Sequence, residues 1–400
     1  MSGGQARSRL SELDGVRAVA ILMVIAFHSW FFLSHMMTSR ADYHAVVASI
    51  PWWLGYVRRG DLGVDIFFVL SGFLLGRQLL AQRARTGRLN YRRYFAHRLL
   101  RIYPLYLVAL AIAVAVSGPT WSLLGDIFTY NIWLPDGRLV IPWAWSLSVE
   151  LEFYLAIPFI ILAISSVRSI QAIAAASVAI SAGWALYWVL SDTDLQSYSL
   201  LELDALKLRE AKGVFYQKLY WAPPLRLSQF VAGIAAAWAV LFRADRLAAL
   251  PHGAIVGLSL AAAAGILLPV LHNPFVPQTP ANRVFMLVDY VIGRSAFAAG
   301  IALSMVLMLS GHLGWLRRAL GARILKPVAR YSFSMYLFHP VLMYPVALAV
   351  LGTQKVSTVA GWQVVGIFAL TVAVTMLFGA LTWRFIENPA IRFGRRRFDR

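Results

Sequence analysis

Apolar residues gather along this chain into runs of sixteen or more positions, separated by polar or basic stretches from one end to the other. A helix rises about 1.5 Å per residue and a hydrocarbon core is about 30 Å thick, so runs of this length predict membrane-crossing helices. The first is Leu13 to Trp30, LDGVRAVAILMVIAFHSW, and the second is GDLGVDIFFVLSGFLLGRQLL from Gly60. Eight more are predicted at 102–117, 144–164, 170–190, 225–242, 253–271, 295–310, 331–351 and 360–383. The predicted fold class is all-α: a polytopic membrane protein of ten transmembrane helices. Ser11, three residues before Asp14, gives a capping-box-like start to the first span. That span contains Arg17 and His28 and lacks a small-residue cleavage site after it, so it is expected to stay in the protein.

Composition agrees with the pattern. Sixty per cent of the 400 residues are hydrophobic and fourteen per cent charged, too apolar a balance for a soluble chain of this length. Net charge is +19, which in a soluble protein would raise nucleic-acid binding. Here the arginines cluster between apolar spans, where anionic lipid headgroups account for them, and no nucleic-acid partner is expected. Eight arginines fall between Arg77 and Arg101, RQLLAQRARTGRLNYRRYFAHRLLR. The positive-inside rule makes this loop cytoplasmic and, with ten spans, both termini as well. That topology puts twenty-five of the thirty-seven Lys and Arg on the cytoplasmic side. Two long outward segments, Gly118 to Trp143 and Ser191 to Pro224, could cover a cavity, the second with a short amphipathic helix LLELDALKLREA. The chain has no cysteine, which removes disulfides and thiolate metal sites, and no metal site is expected. Nucleotide-binding glycine loops, HExxH and GxSxG are absent as well.

Several ionisable residues stand where the membrane makes them costly. Arg17 and His28 are eleven positions apart, three turns plus roughly 20°, so they share a face, with the imidazole about 16 Å further along the axis. A neutral imidazole near the midplane can take a proton from a hydroxyl as it attacks an acyl group; the plainer alternative is a histidine bonded to a neighbouring carbonyl. Arg98 and Arg101 project from one side of a helix as it meets the membrane and can grip phosphates, or serve as a lipid-facing collar. Glu150 and Glu152 lie about 200° apart on a helix, so one of them faces protein. Glu150 is preferred, with Ser146 and Tyr154 one turn to either side, as a partner orienting His28 or a sugar hydroxyl. Asp61 and Asp65 could cap their helix or take part in function. His339 directly precedes Pro340, where it could line the cavity or satisfy a kink. The remaining histidines, at 35, 44, 97, 252, 272 and 312, fall in loops or at span edges.

Six blocks in order, LDGVRAVAILMVIAFH, LGVDIFFVLSGFLLG, RRYFAHRLLRIYPLY, WSLSVELEFYLAIP, YSFSMYLFHPV and RFIENP, cover residues 13 to 389. Together they resemble the membrane acyltransferase-3 family, the integral membrane O-acyltransferases of bacteria. The resemblance implies transfer of an acyl group, commonly acetyl, from cytoplasmic acyl-CoA to a hydroxyl of a carbohydrate or similar acceptor. It implies His28 and Glu150 as catalytic residues and Arg17, Arg98 and Arg101 as the holders of the acyl-CoA. Asp65, Tyr154 and His339 are assigned to substrate binding. Acyl-CoA (acetyl-CoA) would be a donor substrate rather than a permanently bound cofactor. The other expected partners are membrane lipids and a hydroxylated glycan or glycosylated small molecule: surface polysaccharide, peptidoglycan, glycolipid or a secondary metabolite such as a macrolide sugar. The expected location is the bacterial cytoplasmic membrane. The domain plan is a mobile cytoplasmic segment 1–12, a transmembrane domain 13–389 and a basic cytoplasmic tail 390–400. Some relatives append an extracytoplasmic esterase-like domain, whereas this chain ends soon after its last block. The rival reading is an exporter of acylated sugars without transferase activity, since midplane ionisable groups also suit translocation.

Overall fold

The computed structural model describes residues 11–39, 41–43, 45, 55–119, 122–134, 139–199, 203, 209–271 and 280–399. Residues 1–10, His44, His272 and most of the LLELDALKLREA stretch lie outside the described residues. Ten helices among the described residues are long and apolar enough to cross a membrane. Their cores are α1 (Ser11–Phe31), α2 (Gly63–Thr86), α3 (Tyr91–Ser117), α4 (Trp145–Ala163), α5 (Val167–Ser191), α6 (Pro223–Phe242), α7 (His252–Leu267), α8 (Arg294–Leu309), α9 (Leu325–Leu351) and α10 (Gly361–Thr382). A short amphipathic α11 (Asn388–Phe398) follows. The only β pairing among the described residues is an isolated bridge between Met37 and Val356.

Several boundaries differ from the hydrophobic pattern for identifiable reasons. The α3 helix begins at Tyr91, eleven residues before the predicted span, because Asn90 caps it by accepting from the Arg93 amide at 2.9 Å. Its first three turns therefore stand beyond the apolar run and carry Arg98 and Arg101. At the start of α1, Asp14 does not complete a capping box; it pairs with Arg17 at 3.3 Å. Three π-helical turns, Phe215–Tyr220, Asp289–Gly293 and Trp383–Glu387, join α6, α8 and α11 to what precedes them. Residues 390–398 of the basic tail continue α11 as helix.

Close packing comes from small residues, as expected where lipid removes the hydrophobic drive between helices. The strongest case is the α2–α6 crossing. A Cβ at Gly72 would run into the Phe230 carbonyl oxygen, and one at Gly233 into the Val69 carbonyl oxygen, so the two backbones touch. The pairing is central: the α2 span is 67% buried, against 11% for α7. Peripheral helices turn Leu260, Leu377, Leu381 and Tyr187 outward as a lipid-facing surface. Both ends of the described chain meet at one end of the bundle. Arg317 donates to Glu12 at 2.8 Å, and Asp399 holds Arg93 at 3.0 Å and His97 at 2.6 Å on α3. We call this the basic end.

At the opposite end, the segment between α3 and α4 includes the short helix Leu123–Phe128. Asp126, fully buried, accepts from Asn131 Nδ2 at 2.6 Å and from the Val140 amide at 3.2 Å. Burial pushes its carboxyl up to about 6, against the opposing pull of these two donors.

Candidate active site

At the basic end α1, α3, α9 and α11 surround a vestibule partly open to solvent. Arg17, Arg93, His97, Arg98, Arg101, Lys326, Arg330 and Arg395 stand around it, with Asp14, Glu387 and Asp399 as the acidic minority. Inward from it lies a narrower chamber between α1, α2, α3, α4 and α9. Arg17, Arg98 and Arg101 line both spaces, together with Ser332 and Phe333. Three guanidiniums thus form the throat between them.

Glu150 is the acid of the chamber. Its Oε1 accepts from Ser71 Oγ at 2.5 Å and from Tyr154 Oη at 2.6 Å, while its Oε2 accepts no hydrogen bond among the described residues. The i, i+4 step on α4 brings Tyr154 to Glu150, and α2 brings Ser71 across. Helical geometry separates the two glutamates as expected: Glu152 accepts from Trp133 Nε1 at 2.6 Å instead. Arg98 reaches Gln78 Oε1 at 3.3 Å, but its Nε is buried without a partner. Among the described residues neither Arg98 nor Arg101 has an ion pair, so their charge is directed at the cavities rather than neutralised. Glu387 also lines the vestibule, 4% exposed and with Oε1 unpartnered.

His28 lies beyond the chamber. Neither it nor His339 is among the lining residues; Phe67 and Tyr336 are, and the Tyr336 ring lies 6.0 Å from that of His339. Tyr336 is held there by Ser146 Oγ at 2.6 Å and by donation to the Trp143 carbonyl at 2.6 Å. His28 itself is half-buried. Its Nδ1 lies 2.8 Å from the Val24 carbonyl and 3.2 Å from Nε2 of His339, which is fully buried. The chamber's lining thus includes Tyr336, the neighbour of His339, but stops short of His28.

Asp65 belongs to a different constellation. Its Oδ1 accepts from Arg226 at 2.8 Å and Gln229 at 3.0 Å, and its Oδ2 from Arg294 at 2.6 Å. Arg294 also pairs with Asp61 at 2.6 Å, and Arg59 with Asp61 at 3.3 Å and Asp289 at 3.0 Å. Arg226 lies 5.1 Å from the ring centres of Trp145 and Tyr220, and Arg294 5.0 Å from that of Tyr220. Three carboxylates and three guanidiniums balance here inside the bundle. The Asp65 carboxylate serves these arginines, not the backbone of its own helix and not the chamber.

Sequence reading thus located Arg17, Arg98, Arg101, Glu150 and Tyr154, which the fold brings to one chamber and its throat. It missed Ser71, Glu387, His97 and the arginine half of the ion cluster. Arg226 and Arg294, beside or inside apolar runs, were the available signal: such residues require partners, and Asp61 and Asp65 are the acids of another span.

Residues 10–380 match the family described as Acyltransferase domain, and the chain belongs to it. Together with the ten spans, this defines a multi-pass protein of the bacterial plasma membrane that carries an acyltransferase-family domain. Among individual relatives, the chain is 24% identical to the Peptidoglycan O-acetyltransferase OatA of Listeria monocytogenes over 97% of its own length, spanning 57% of that protein. It is 26% identical to the Acyltransferase MdmB of Streptomyces mycarofaciens, over 97% of this chain and 94% of that one. No solved structure matches.

Proposed function

We propose that the protein takes an acyl group, acetyl in the first instance, from acyl-CoA and places it on a hydroxyl of a carbohydrate or glycosylated acceptor. The observation that carries this reading is the three-arginine throat. Arg17, Arg98 and Arg101 line both the vestibule and the chamber, at the place where a phosphate-bearing donor would lodge while its thioester arm points inward. Planar guanidinium forks suit phosphate oxygens, and the positive-inside rule makes this end cytoplasmic, along with both termini. The acetyltransferase name of the Listeria relative supports acetyl as the group moved.

The acceptor approaches from the opposite side. His28 takes the proton of its hydroxyl, the oxygen attacks the thioester carbonyl, the C–S bond breaks and the departing thiolate receives the proton. Glu150, with Oε2 open, and Tyr154 orient the reacting groups. The chamber must open to His28 for the two sides to meet. Asp65 serves substrate binding only indirectly, by fixing the helix ends through its arginines.

Purified protein in detergent, given acetyl-CoA and candidate sugar acceptors, should release free thiol in step with acylated product seen by mass spectrometry. His28→Ala should lower turnover by about 10²-fold or more. Equal turnover by both proteins rejects His28 as the base. Sugar translocation into liposomes without any need for acyl-CoA would replace the enzyme reading with the exporter.

A further inference from the structure

The contact between His28 and His339 assigns a role to the second ring. Pro340 has no amide hydrogen, so the carbonyl four residues earlier, that of Tyr336, loses its helical donor. His339 Nδ1 lies 2.7 Å from that oxygen. A carbonyl only accepts, so His339 carries its hydrogen on Nδ1 and presents Nε2 as a bare acceptor. The same logic holds for His28, whose Nδ1 faces the Val24 carbonyl at 2.8 Å and must carry the hydrogen there. The two rings then fit in one way. The His28 Nδ1–H is shared between Val24 O and His339 Nε2, the latter at 3.2 Å, with ring centres 4.7 Å apart and planes at 68°. With Nδ1 thus committed, the lone pair of His28 is on Nε2.

We propose that His339 is a positioning residue for acyl transfer: its Nε2 acceptor holds the His28 ring in the orientation that leaves His28 Nε2 bare, and stabilises the imidazolium that forms when Nε2 takes the acceptor's proton. This inference rests on the reading of His28 as the base. The proton taken up on His28 Nε2 leaves with the thiolate, while the Nδ1 hydrogen stays in place and His339 undergoes no net change. It is the role a buried carboxylate plays beside other catalytic histidines, performed by a neutral ring because a second charge at this depth would be costly.

The test compares kcat and KM for three substitutions. His339→Leu removes the acceptor at similar bulk and should lower kcat by about 10- to 100-fold, a smaller loss than removal of the base itself, with both KM values within about twofold. In His339→Gln the amide oxygen reaches the place of Nε2, and kcat should return to within about fivefold of wild type. In His339→Asn the amide follows Nδ1 and falls short of His28, so kcat should resemble that of the leucine variant. The Gln and Asn pair decides the matter even if the leucine variant fails to fold. Equal kcat for Gln and Asn overturns the proposal, as does wild-type kcat in His339→Leu. A rise in acceptor KM at unchanged kcat also overturns it, making His339 a determinant of substrate affinity instead. A fully active His28→Ala would remove the underlying reading; an inactive His28→Ala with a fully active His339→Leu removes the positioning role alone.

Discussion

The bundle handles charge in two opposite ways. In the cluster of Arg59, Asp61, Asp65, Arg226, Asp289 and Arg294, three cations meet three anions. At the throat, among the described residues, Arg98 and Arg101 have no ion pair and Arg17 pairs with Asp14 alone, while Glu150 of the chamber accepts from Ser71 and Tyr154. Buried charge is costly unless balanced, so balanced charge reads as structure and uncompensated charge as a place awaiting an anion. Both regions are rich in arginine, and only the pairing tells them apart.

That distinction is easiest to break at Asp65. Asp65→Ala would leave Arg226 and Arg294 facing each other beneath Tyr220, at a cost of about 3–5 kcal/mol. The expected result is loss of monodisperse protein in detergent or a collapsed thermal transition; a variant that folds and melts like wild type would show that the cluster is not structural. The throat should respond in the opposite sense. Arg98→Ala or Arg101→Ala should shift stability by no more than about 0.5 kcal/mol yet raise the KM for acyl-CoA about 10- to 100-fold, more steeply at low salt than at high. An effect on acceptor KM alone would reassign these arginines.

Asp126 is the intermediate case, buried with hydrogen-bond donors but without a cation among the described residues. Its carboxyl is raised to about 6 from an unfolded value near 3.8, so the folded form holds the proton more tightly. The stability it contributes is complete below the unfolded value and is lost as pH rises through about 6. The protection of the 122–134 amides against hydrogen exchange, corrected for the intrinsic rate, should be greater at pH 5 than at pH 7, and Asp126→Asn should flatten that difference. A segment equally protected at both values would rule out this carboxyl as the cause.

Legibility in the sequence followed the physics. Ten apolar runs gave ten crossings because length and hydropathy act locally, and Arg17, Arg98, Arg101 and Glu150 could be singled out because charge in lipid is rare. The ion cluster was hidden because its acids find arginines far along the chain, 161 positions away for Asp65 and Arg226 and 233 for Asp61 and Arg294. That the chamber stops short of His28 was equally invisible: helical phase puts Arg17 and His28 on one face of α1, but the chamber's other walls come from other helices. Pro340 was recognised as a freer of a carbonyl, yet only the fold shows that His339 takes that oxygen and turns its other nitrogen to His28.

The glycine crossing of α2 and α6 decides which walls of the chamber can yield. One helix supplies Asp65 to the ion cluster and, six residues on, Ser71 to the chamber; with its backbone pressed against its neighbour and its outer end anchored by two arginines, it has no room to slide. Any widening of the chamber therefore falls to the other helices that line it, α1, α3, α4 and α9.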